Sequence, residues 1–240
     1  MATTDPLYKT VKQQLTEALR QGKWKHGQKI ASEPQLAERY GASVGTVRKA
    51  IGELVAENIL VREQGRGTFV ASHTPDYMLN VFFRIVDLEG HKELPTISRI
   101  SMKRSRADKL TATQLHLRPR APVIELETLL TLHGRPTILD RMRLPGHLFQ
   151  DISELAFTRR DGTVYGLFQE RFGITVVRTE EFITAVSADE RTAELLGVPT
   201  GAPLLRIVRT AYTYKDVPVD TRVRLVDSTH HGYLSVLGNA

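Results

Sequence analysis

The chain has 240 residues and a hydrophobic fraction of 41%, which fits a globular protein of one or two domains. It has no Cys, no apolar run long enough to span a bilayer and no signal-peptide pattern, which excludes disulfide and thiol chemistry and predicts a cytoplasmic protein that does not contact membranes. The net charge is +6, and residues 1–71 carry 11 basic and 7 acidic side chains, a bias expected of either a phosphate-binding segment or a solvated basic surface.

The first two predicted helices lie before residue 42. An apolar residue recurs every four positions across residues 7–19, which predicts one helix that ends at Gly22. Ser32, as N-cap, and Gln35, as its capping-box partner, predict a second helix. Gly41 ends this short helix, so the chain turns tightly there.

A third helix is predicted to begin directly after that turn, with Ser43 as its N-cap. Its apolar face is formed by Val47, Ala50, Ile51, Leu54 and Val55. Thr46, Arg48 and Lys49 point away from this face. A short helix, a tight turn and a second helix with small or basic exposed residues predict a helix-turn-helix whose second helix enters a DNA major groove.

Two short strands, predicted at 59–63 and 68–71, follow the third helix. Residues 64–67, Gln-Gly-Arg-Gly, join them, and the glycines permit a tight turn close to a phosphate or a groove floor. Arg66 at the tip is placed to enter a minor groove. A hairpin at this position completes a winged helix-turn-helix.

Three ordered motifs, at residues 31–37, 40–50 and 65–70, resemble the GntR family of bacterial regulators, and the resemblance covers about residues 6–71. Many members carry Arg where this chain has Val44, which can touch a thymine methyl but cannot pair with guanine. Base readout then depends on Arg48, Lys49 and the wing. Outside this motif, Arg48 and Lys49 would be interpreted as part of a solvated helix face. The resemblance implies DNA contacts from Ser32, Glu33, Ser43, Val44, Thr46, Arg48, Lys49, Gln64, Gly65, Arg66, Gly67 and Thr68.

The rest of the chain contains a sequence repeat. A polar, Pro-containing stretch predicts a linker over 72–79, between domains at 1–71 and 80–240. Residues 107–122 match 188–203 at an offset of 81, and Arg141-Met-Arg-Leu matches Arg222-Val-Arg-Leu at the same offset. Each copy predicts a short helix and a β-hairpin, so the domain is α+β with an antiparallel sheet and pseudo-twofold halves. The Arg residues of the matched strands are expected to be mostly exposed.

Residues 163–173, between the two copies, predict a helix with an apolar face and Gly173 at its end. Together with the motifs at 95–99, 187–190 and 203–209, this layout resembles the UTRA effector domain of the HutC-type branch of GntR regulators, over about residues 80–236. That domain is similar in fold to chorismate lyase. In such domains the ligand lies between the sheet halves and the intervening helix.

The resemblance implies an effector site formed by Arg99, Thr128, Asp140, Thr163, Tyr165 and Asp220. Some sugar-phosphate-sensing relatives carry two Arg where this chain has Thr128 and Leu130, so we expect a ligand with less negative charge than a sugar phosphate. Two alternatives stay open: Tyr165 packs its ring in the core, and Asp140 and Asp220 pair with strand arginines rather than with a ligand.

These features predict a sequence-specific transcription regulator, acting as a repressor in the family's usual mode. Its predicted partners are a palindromic double-stranded operator, a small polar metabolite and a second copy of the chain. No cofactor or metal is predicted, because the histidines lack metal-ligand spacing, and no nucleophile elbow, P-loop or dinucleotide motif occurs. The alternatives are a lyase-like enzyme fused to a DNA-binding head and an architectural DNA-binding protein without a ligand.

Overall fold

A computed structural model describes residues 6–159 and 162–236, without the side chain of Arg99. The chain divides into two compact units, Met1–Ser72 and His73–Ala240. Within the described ranges no helix has the length and apolarity needed to cross a membrane.

The first unit contains the three predicted helices and the wing. Val11 and Leu15 on the first helix, and Leu36, Ile51 and Leu54 on the next two, are almost completely buried, as their helical spacing predicts. Strand residue Leu60 pairs with Val70, and Glu63 pairs with Gly67, so the hairpin is antiparallel. The elements are α1 (Leu7–Arg20), α2 (Glu33–Tyr40), α3 (Val44–Ala56), β1 (Leu60–Glu63) and β2 (Gly67–Val70).

The second unit is a six-stranded antiparallel sheet with helices on both faces. Its helices are α4 (Pro75–Tyr77), which continues as a π-helix over Met78–Phe82, α5 (Lys109–Gln114), α6 (Glu154–Thr158), α7 (Val164–Phe172) and α8 (Glu190–Leu196). Its strands are β3 (Ile85–Asp87), β4 (Thr96–Arg106), β5 (Pro122–Leu132), β6 (Arg135–Pro145), β7 (Arg178–Ser187), β8 (Pro203–Thr213), β9 (Val217–Asp227) and β10 (His231–Tyr233).

The strand order makes the sequence repeat visible as two halves of one sheet. The order is β4-β5-β6-β9-β8-β7, so each half is strand, helix and hairpin, and the halves meet where β6 pairs with β9. The helix and hairpin of each copy were predicted. The outer strands β4 and β7 were not, because they precede the matched segments. Separately, β3 and β10 form a two-stranded ribbon.

The two faces of the sheet are covered by different elements. Ile124, Leu126 and Met142 share a hydrophobic cluster with Phe168 of α7, so α7 covers the face from which these side chains project. Leu129 and Leu139 pack instead with residues of α8, on the opposite face. We call the first the α7 face and the second the α8 face. The predicted helix at 163–173 is present and packs against the sheet as a separate layer.

The prediction that the repeated arginines are mostly exposed was wrong for the second copy of the repeat. Arg222 and Arg224 are buried on the α7 face, whereas Arg141 and Arg143 lie half-buried on the α8 face. The first hairpin turns between Leu132 and Arg135, and the second between Thr213 and Val217, one residue more. That extra residue shifts the repeat by one position, and in a strand a one-residue shift moves a side chain to the other face.

The linker expected over 72–79 is also shorter than predicted. His73 is buried in the second unit, where its backbone N–H donates to Gln169 Oε1 at 2.8 Å and its ring contacts Val176 O at 2.8 Å. Thr74 caps α4, whose first residue is Pro75. Pro and polar residues therefore mark a helix start here rather than a free connection, because Pro suits the first turn of a helix.

Candidate DNA-binding surface and effector site

The N-terminus of α3 is held by two side-chain hydroxyls. Ser43 Oγ accepts from Thr46 N at 3.1 Å and lies 2.8 Å from Thr46 Oγ1. Val44, at the first helical position, is exposed. Ser43 is thus the N-cap that the sequence predicts, and Val44 stands at the exposed start of the helix.

Arg48 of α3 is exposed and already paired. Its Nε donates to Glu33 Oε2 at 2.8 Å, although 63% of the Arg48 side chain is open to solvent. Arg62 of β1 lies 3.6 Å from the other Glu33 oxygen, and its guanidinium donates to Arg48 O at 3.5 Å. Glu33, predicted to contact DNA, therefore orients two arginines in the free protein. Arg62 was missed by the sequence reasoning, although its place at the start of the wing was a usable signal.

Lys49, the other basic residue predicted for base readout, packs against α1. Its Nζ lies 3.9 Å from the centre of the Tyr8 ring, a cation–π contact. Ser32, a predicted contact at the N-terminus of α2, gives both its N–H and its hydroxyl to Gln35 Oε1, at 3.0 and 2.9 Å. Both residues are exposed, and each has a structural role in the free protein.

The wing turn brings a third arginine to an exposed tip. Arg66 is paired with Glu63 and lies over the Phe69 ring, 5.5 Å from its centre. Gly67 has φ +122°, a backbone conformation that residues with a Cβ rarely adopt, so glycine is favoured there. Gly65 also has positive φ. A cleft of about 500 Å³ separates the wing from the start of α2 and contains Lys29, Ser32, Glu33, Arg62, Gln64 and Thr68.

Six charged side chains meet on the α7 face of the second unit. Arg222 makes two hydrogen bonds to Asp220, at 2.9 and 2.8 Å, and contacts Asp140 Oδ2 at 3.4 Å. Arg224 Nε also donates to Asp140 Oδ2, at 3.2 Å. The remaining two charged residues are Arg209 and Glu181. Arg209 Nε donates to Glu181 Oε1 at 2.6 Å, and the Arg209 guanidinium also donates to Phe82 O at 2.5 Å. We call these six residues the arginine cluster, and its three positive and three negative charges balance.

The buried carboxylates of the arginine cluster form the strand pairing that the sequence left open. Asp140 is 4% exposed and Asp220 is 0% exposed, and both pair with strand arginines in the free protein. Asp140 Oδ1, however, has no hydrogen-bond partner among the residues that the structure describes. A buried carboxylate oxygen without a donor is costly, so this oxygen is available to a ligand or a water molecule.

Tyr165 is buried at the start of α7, above Arg222. Its ring is 1% exposed and packs in the hydrophobic cluster, with the Arg222 guanidinium 5.1 Å from the ring centre. Burial raises the pKa of its hydroxyl to about 12, so the group is protonated at neutral pH. Within residues 6–159 and 162–236 this hydroxyl has no hydrogen-bond partner. The Tyr165 ring therefore belongs to the hydrophobic core. Its hydroxyl is, after Asp140 Oδ1, the second buried polar atom here without a partner among the described residues.

The remaining predicted effector residues divide by position. Thr163 is the N-cap of α7: its Oγ1 accepts from Gly166 N at 2.9 Å and donates to His73 O at 3.0 Å. Thr128 is buried on β5 and pairs directly with Asp140 of β6. Arg99 pairs with Leu129 in the sheet register, and its side chain lies outside the described residues.

A second charged surface, on the α8 face, was not predicted. A cleft of about 400 Å³ opens there, and its lining includes Lys103, Glu125, Glu127, Arg141, Arg143 and Arg191. Glu127 accepts from Arg141 at 2.8 Å and from Arg191 at 3.0 Å. Its carboxylates are paired with arginines and a lysine, so this surface is a network of ion pairs.

Two family models match the chain, in the order that the two units occur. Residues 7–70 match the model of bacterial regulatory proteins of the gntR family. Residues 91–231 match the UTRA domain. The chain belongs to the GntR family and carries a UTRA domain. Its family consists of transcriptional regulators, which decides against the enzyme alternative.

Individual relatives support the assignment. The chain is 31% identical over 213 residues to the Probable fructoselysine utilization operon transcriptional repressor of Escherichia coli (strain K12), covering 89% of this chain and 87% of that protein. It is 25% identical to the Mannosyl-D-glycerate transport/metabolism system repressor MngR of the same strain, covering 86% and 85%. The ligand-binding domain of a GntR-family transcriptional regulator from Bordetella bronchiseptica matches with a TM-score of 0.61 and 34% identity, covering 65% of this chain and 98% of that domain.

Family, fold and relatives agree on the coarse function. This chain is a DNA-binding transcription regulator whose winged helix-turn-helix unit binds DNA and whose UTRA unit binds a small-molecule effector. The presence of the UTRA domain decides against an architectural protein without a ligand.

Proposed function

We propose that the chain is a repressor that binds a palindromic operator as a homodimer and releases it when a sugar-derived metabolite binds the UTRA unit. Both relatives described above are named as repressors, and their names refer to sugar conjugates. A twofold-symmetric dimer presents two recognition helices to two half-sites, which makes the operator symmetric.

In this proposal α3 and the wing read the operator. Arg48 and Lys49 contact base edges, and Arg66 reaches the minor groove from the wing tip. Arg48 and Arg66 are exposed and paired only with exposed or half-exposed carboxylates. Such surface ion pairs contribute about 0–1 kcal/mol to stability. Arg48 and Arg66 can therefore leave Glu33 and Glu63 and bind DNA at a low energetic cost. At the start of α3, the side chains of Ser43, Val44 and Thr46 are small. They therefore allow the helix to enter the major groove.

The effector site lies between the α7 face and α7. The observation that carries this proposal is that two buried oxygens, Asp140 Oδ1 and the Tyr165 hydroxyl, have no hydrogen-bond partner among the described residues. A carboxylate oxygen accepts a hydrogen bond, whereas the Tyr165 hydroxyl can donate one. A ligand that offers both a hydroxyl or amino donor and an acceptor oxygen satisfies both atoms, and a polyhydroxylated sugar derivative has both.

The charge of the site argues against a phosphate. The three arginines of the arginine cluster are matched by three carboxylates, and Thr128 and Leu130 add no charge. A sugar phosphate would bring about two negative charges into this neutral, buried environment, at a high desolvation cost. A neutral or zwitterionic sugar derivative avoids that cost. Ligand binding would shift α7, and the resulting change in operator affinity is limited by the ligand's preference between the two states.

The test is a thermal-shift screen followed by operator release. The panel contains neutral sugars, amino sugars, sugar–amino acid conjugates, sugar acids and sugar phosphates. We expect a neutral or zwitterionic member to raise the melting temperature and to weaken operator binding by about 5–150-fold, the usual range of allosteric coupling. Asp140→Asn should weaken its binding, while Asp151→Asn, on an exposed turn, should not. If the best ligand is a sugar phosphate, the charge argument is wrong. If Asp140→Asn and Asp151→Asn bind the ligand equally well, the ligand does not bind at Asp140.

A further inference from the structure

The end of β3 and the turn that follows it bring together two carboxylates and a histidine outside the effector site. One oxygen or nitrogen each from Asp87, Glu89 and His91 all lie within 4.8 Å of one another. Asp87 Oδ1 accepts from His91 N at 2.7 Å, which fixes the turn, and Asp87 Oδ2 lies 3.1 Å from His91 Nδ1. The turn therefore brings three potential ligand atoms close together.

A second histidine approaches the same aspartate from another part of the fold. His133 belongs to the turn between β5 and β6, and its Nε2 lies 4.0 Å from Asp87 Oδ2. In a tetrahedral site with metal–ligand bonds of about 2.0–2.1 Å, ligand atoms are about 3.3 Å apart. The separations of 3.1 and 4.0 Å lie on either side of that value, so a rotation of the exposed His133 side chain would bring its Nε2 toward an ion held at Asp87.

The other nitrogen of His133 faces a carboxylate. His133 Nδ1 lies 3.2 Å from Glu93 Oε2, and that same oxygen accepts from His133 N at 2.7 Å. Metal-binding histidines commonly give their second ring N–H to a carboxylate, which fixes the tautomer and the ring orientation. Here Glu93 would leave Nε2 free to bind a metal on the side of Asp87.

A buried histidine provides an independent observation. His231 is 6% exposed, yet neither of its ring nitrogens has a hydrogen-bond partner in the part of the chain that the structure describes. It pairs with Asp87 across the β3–β10 ribbon, and its ring stacks on that of His133 with centroids 6.1 Å apart. A buried imidazole with two unsatisfied nitrogens indicates an ion or water that the protein atoms do not supply.

We propose that Asp87, Glu89, His91 and His133 bind one divalent transition-metal ion of the Zn²⁺ class, with His231 lining the site. Mixed imidazole and carboxylate ligands are typical for Zn²⁺, and the two carboxylates neutralise its charge. The ion would join the turn after β3 to the turn between β5 and β6. His91 and His133 are exposed, so the ion can enter from solvent.

The experiment uses the untagged full-length chain after chelator treatment. Co²⁺ serves as the spectroscopic probe, and Zn²⁺ affinity is measured by competition and by calorimetry. We expect one equivalent of Co²⁺ to give the visible absorption of a site with nitrogen and oxygen ligands. Glu93→Gln should weaken Zn²⁺ binding by about 10–100-fold, as is usual for the outer partner of a ligand, and Asp87→Asn or His133→Gln by more.

His147→Gln is the matched control, because His147 is exposed and is not among the cluster residues. This variant should bind Zn²⁺ like the wild type. Unchanged affinity in Asp87→Asn and His133→Gln, or a loss of equal size in His147→Gln, would overturn the proposal. Circular dichroism of each metal-free variant separates a lost site from a lost fold. None of these readouts involves DNA or the effector, so their outcome is independent of the proposed function.

Discussion

Replacing Tyr165 with Phe removes one oxygen from the proposed effector site and preserves almost everything else. The ring keeps its packing in the α7 cluster and its contact with Arg222, since both depend on the aromatic face. The hydroxyl has no hydrogen-bond partner among the described residues, so the free protein loses no bond. We therefore expect the free energy of unfolding without ligand to stay unchanged or to rise by up to about 1 kcal/mol, because an unsatisfied buried polar group is removed.

The same substitution should, in contrast, destabilise the complex with the effector. A net hydrogen bond contributes about 0.5–1.5 kcal/mol, so losing the one donated by Tyr165 should raise the effector Kd by about 2–12-fold. The assay is urea unfolding of the free protein, combined with calorimetric titration of the effector found by screening. The two measurements together separate a ligand contact from a structural role.

Tyr212→Phe is the matched control. The Tyr212 hydroxyl is already bonded to Glu180 Oε2 at 2.9 Å, so this variant should lose about 0.5–1.5 kcal/mol of stability without ligand and keep its effector affinity. If Tyr165→Phe behaves like Tyr212→Phe, the Tyr165 hydroxyl has a partner in the free protein and the reasoning fails. An unchanged effector Kd in Tyr165→Phe would show that the ligand lies elsewhere.

Three further predictions concern the DNA-binding unit and the ion pairs of the sheet. Arg48→Ala should weaken operator binding by about 1–3 kcal/mol, measured by fluorescence anisotropy, while Lys23→Ala, outside α3 and the wing, should have a much smaller effect. We expect Thr46 and Arg66 to contact mainly phosphate or sugar, so Thr46→Ala or Arg66→Ala should weaken binding to operator and random DNA by similar factors, and the Arg66 variant should reduce the salt slope of binding by about 1; a loss confined to the operator would contradict this. Hydrogen bonds from Arg191 lower the pKa of Glu127 to about 2, from an ordinary 4.5, so its stabilising effect is complete above pH 4.5 and disappears as the pH falls toward 2. The stability difference between wild type and Glu127→Gln should shrink over that window, and a constant difference would refute it.

The helices of the DNA-binding unit were predictable because their signals are local. Ser43 caps α3 and Gly41 ends α2 with φ +59°, as the sequence pattern indicates. The partners of the exposed side chains were not predictable. Glu33 meets Arg48 and Arg62 only when α2, α3 and the wing have packed together.

In the UTRA unit the repeat predicted the two helix–hairpin halves but not the faces of their strands. Arg141 and Arg222 match in sequence at an offset of 81, yet they project from opposite faces because the second turn is one residue longer. Since a strand alternates its side chains, this single residue separates a half-exposed arginine from a buried one. The burial of Arg222 beside Asp220 therefore required the register, which the sequence alone does not fix.

Histidines that are scattered in the sequence also meet only in the fold. His133 reaches Asp87 because the β5–β6 turn lies beside the β3–β10 ribbon, and no short spacing encodes this contact. Tyr165 shows the converse. The sequence left open whether it is a core or a ligand residue. The structure places its ring in the core, while its hydroxyl has no hydrogen-bond partner among the described residues.

The central claim is tested most directly by selecting the operator from random duplex DNA with the purified chain and measuring the stoichiometry on the selected sequence. We expect a twofold-symmetric consensus that is bound by two chains per duplex, bound more weakly by Arg48→Ala by about 1–3 kcal/mol, and released by the effector identified in the thermal-shift screen. An asymmetric site saturated by a single chain, or no enrichment of any sequence over random DNA, would contradict it.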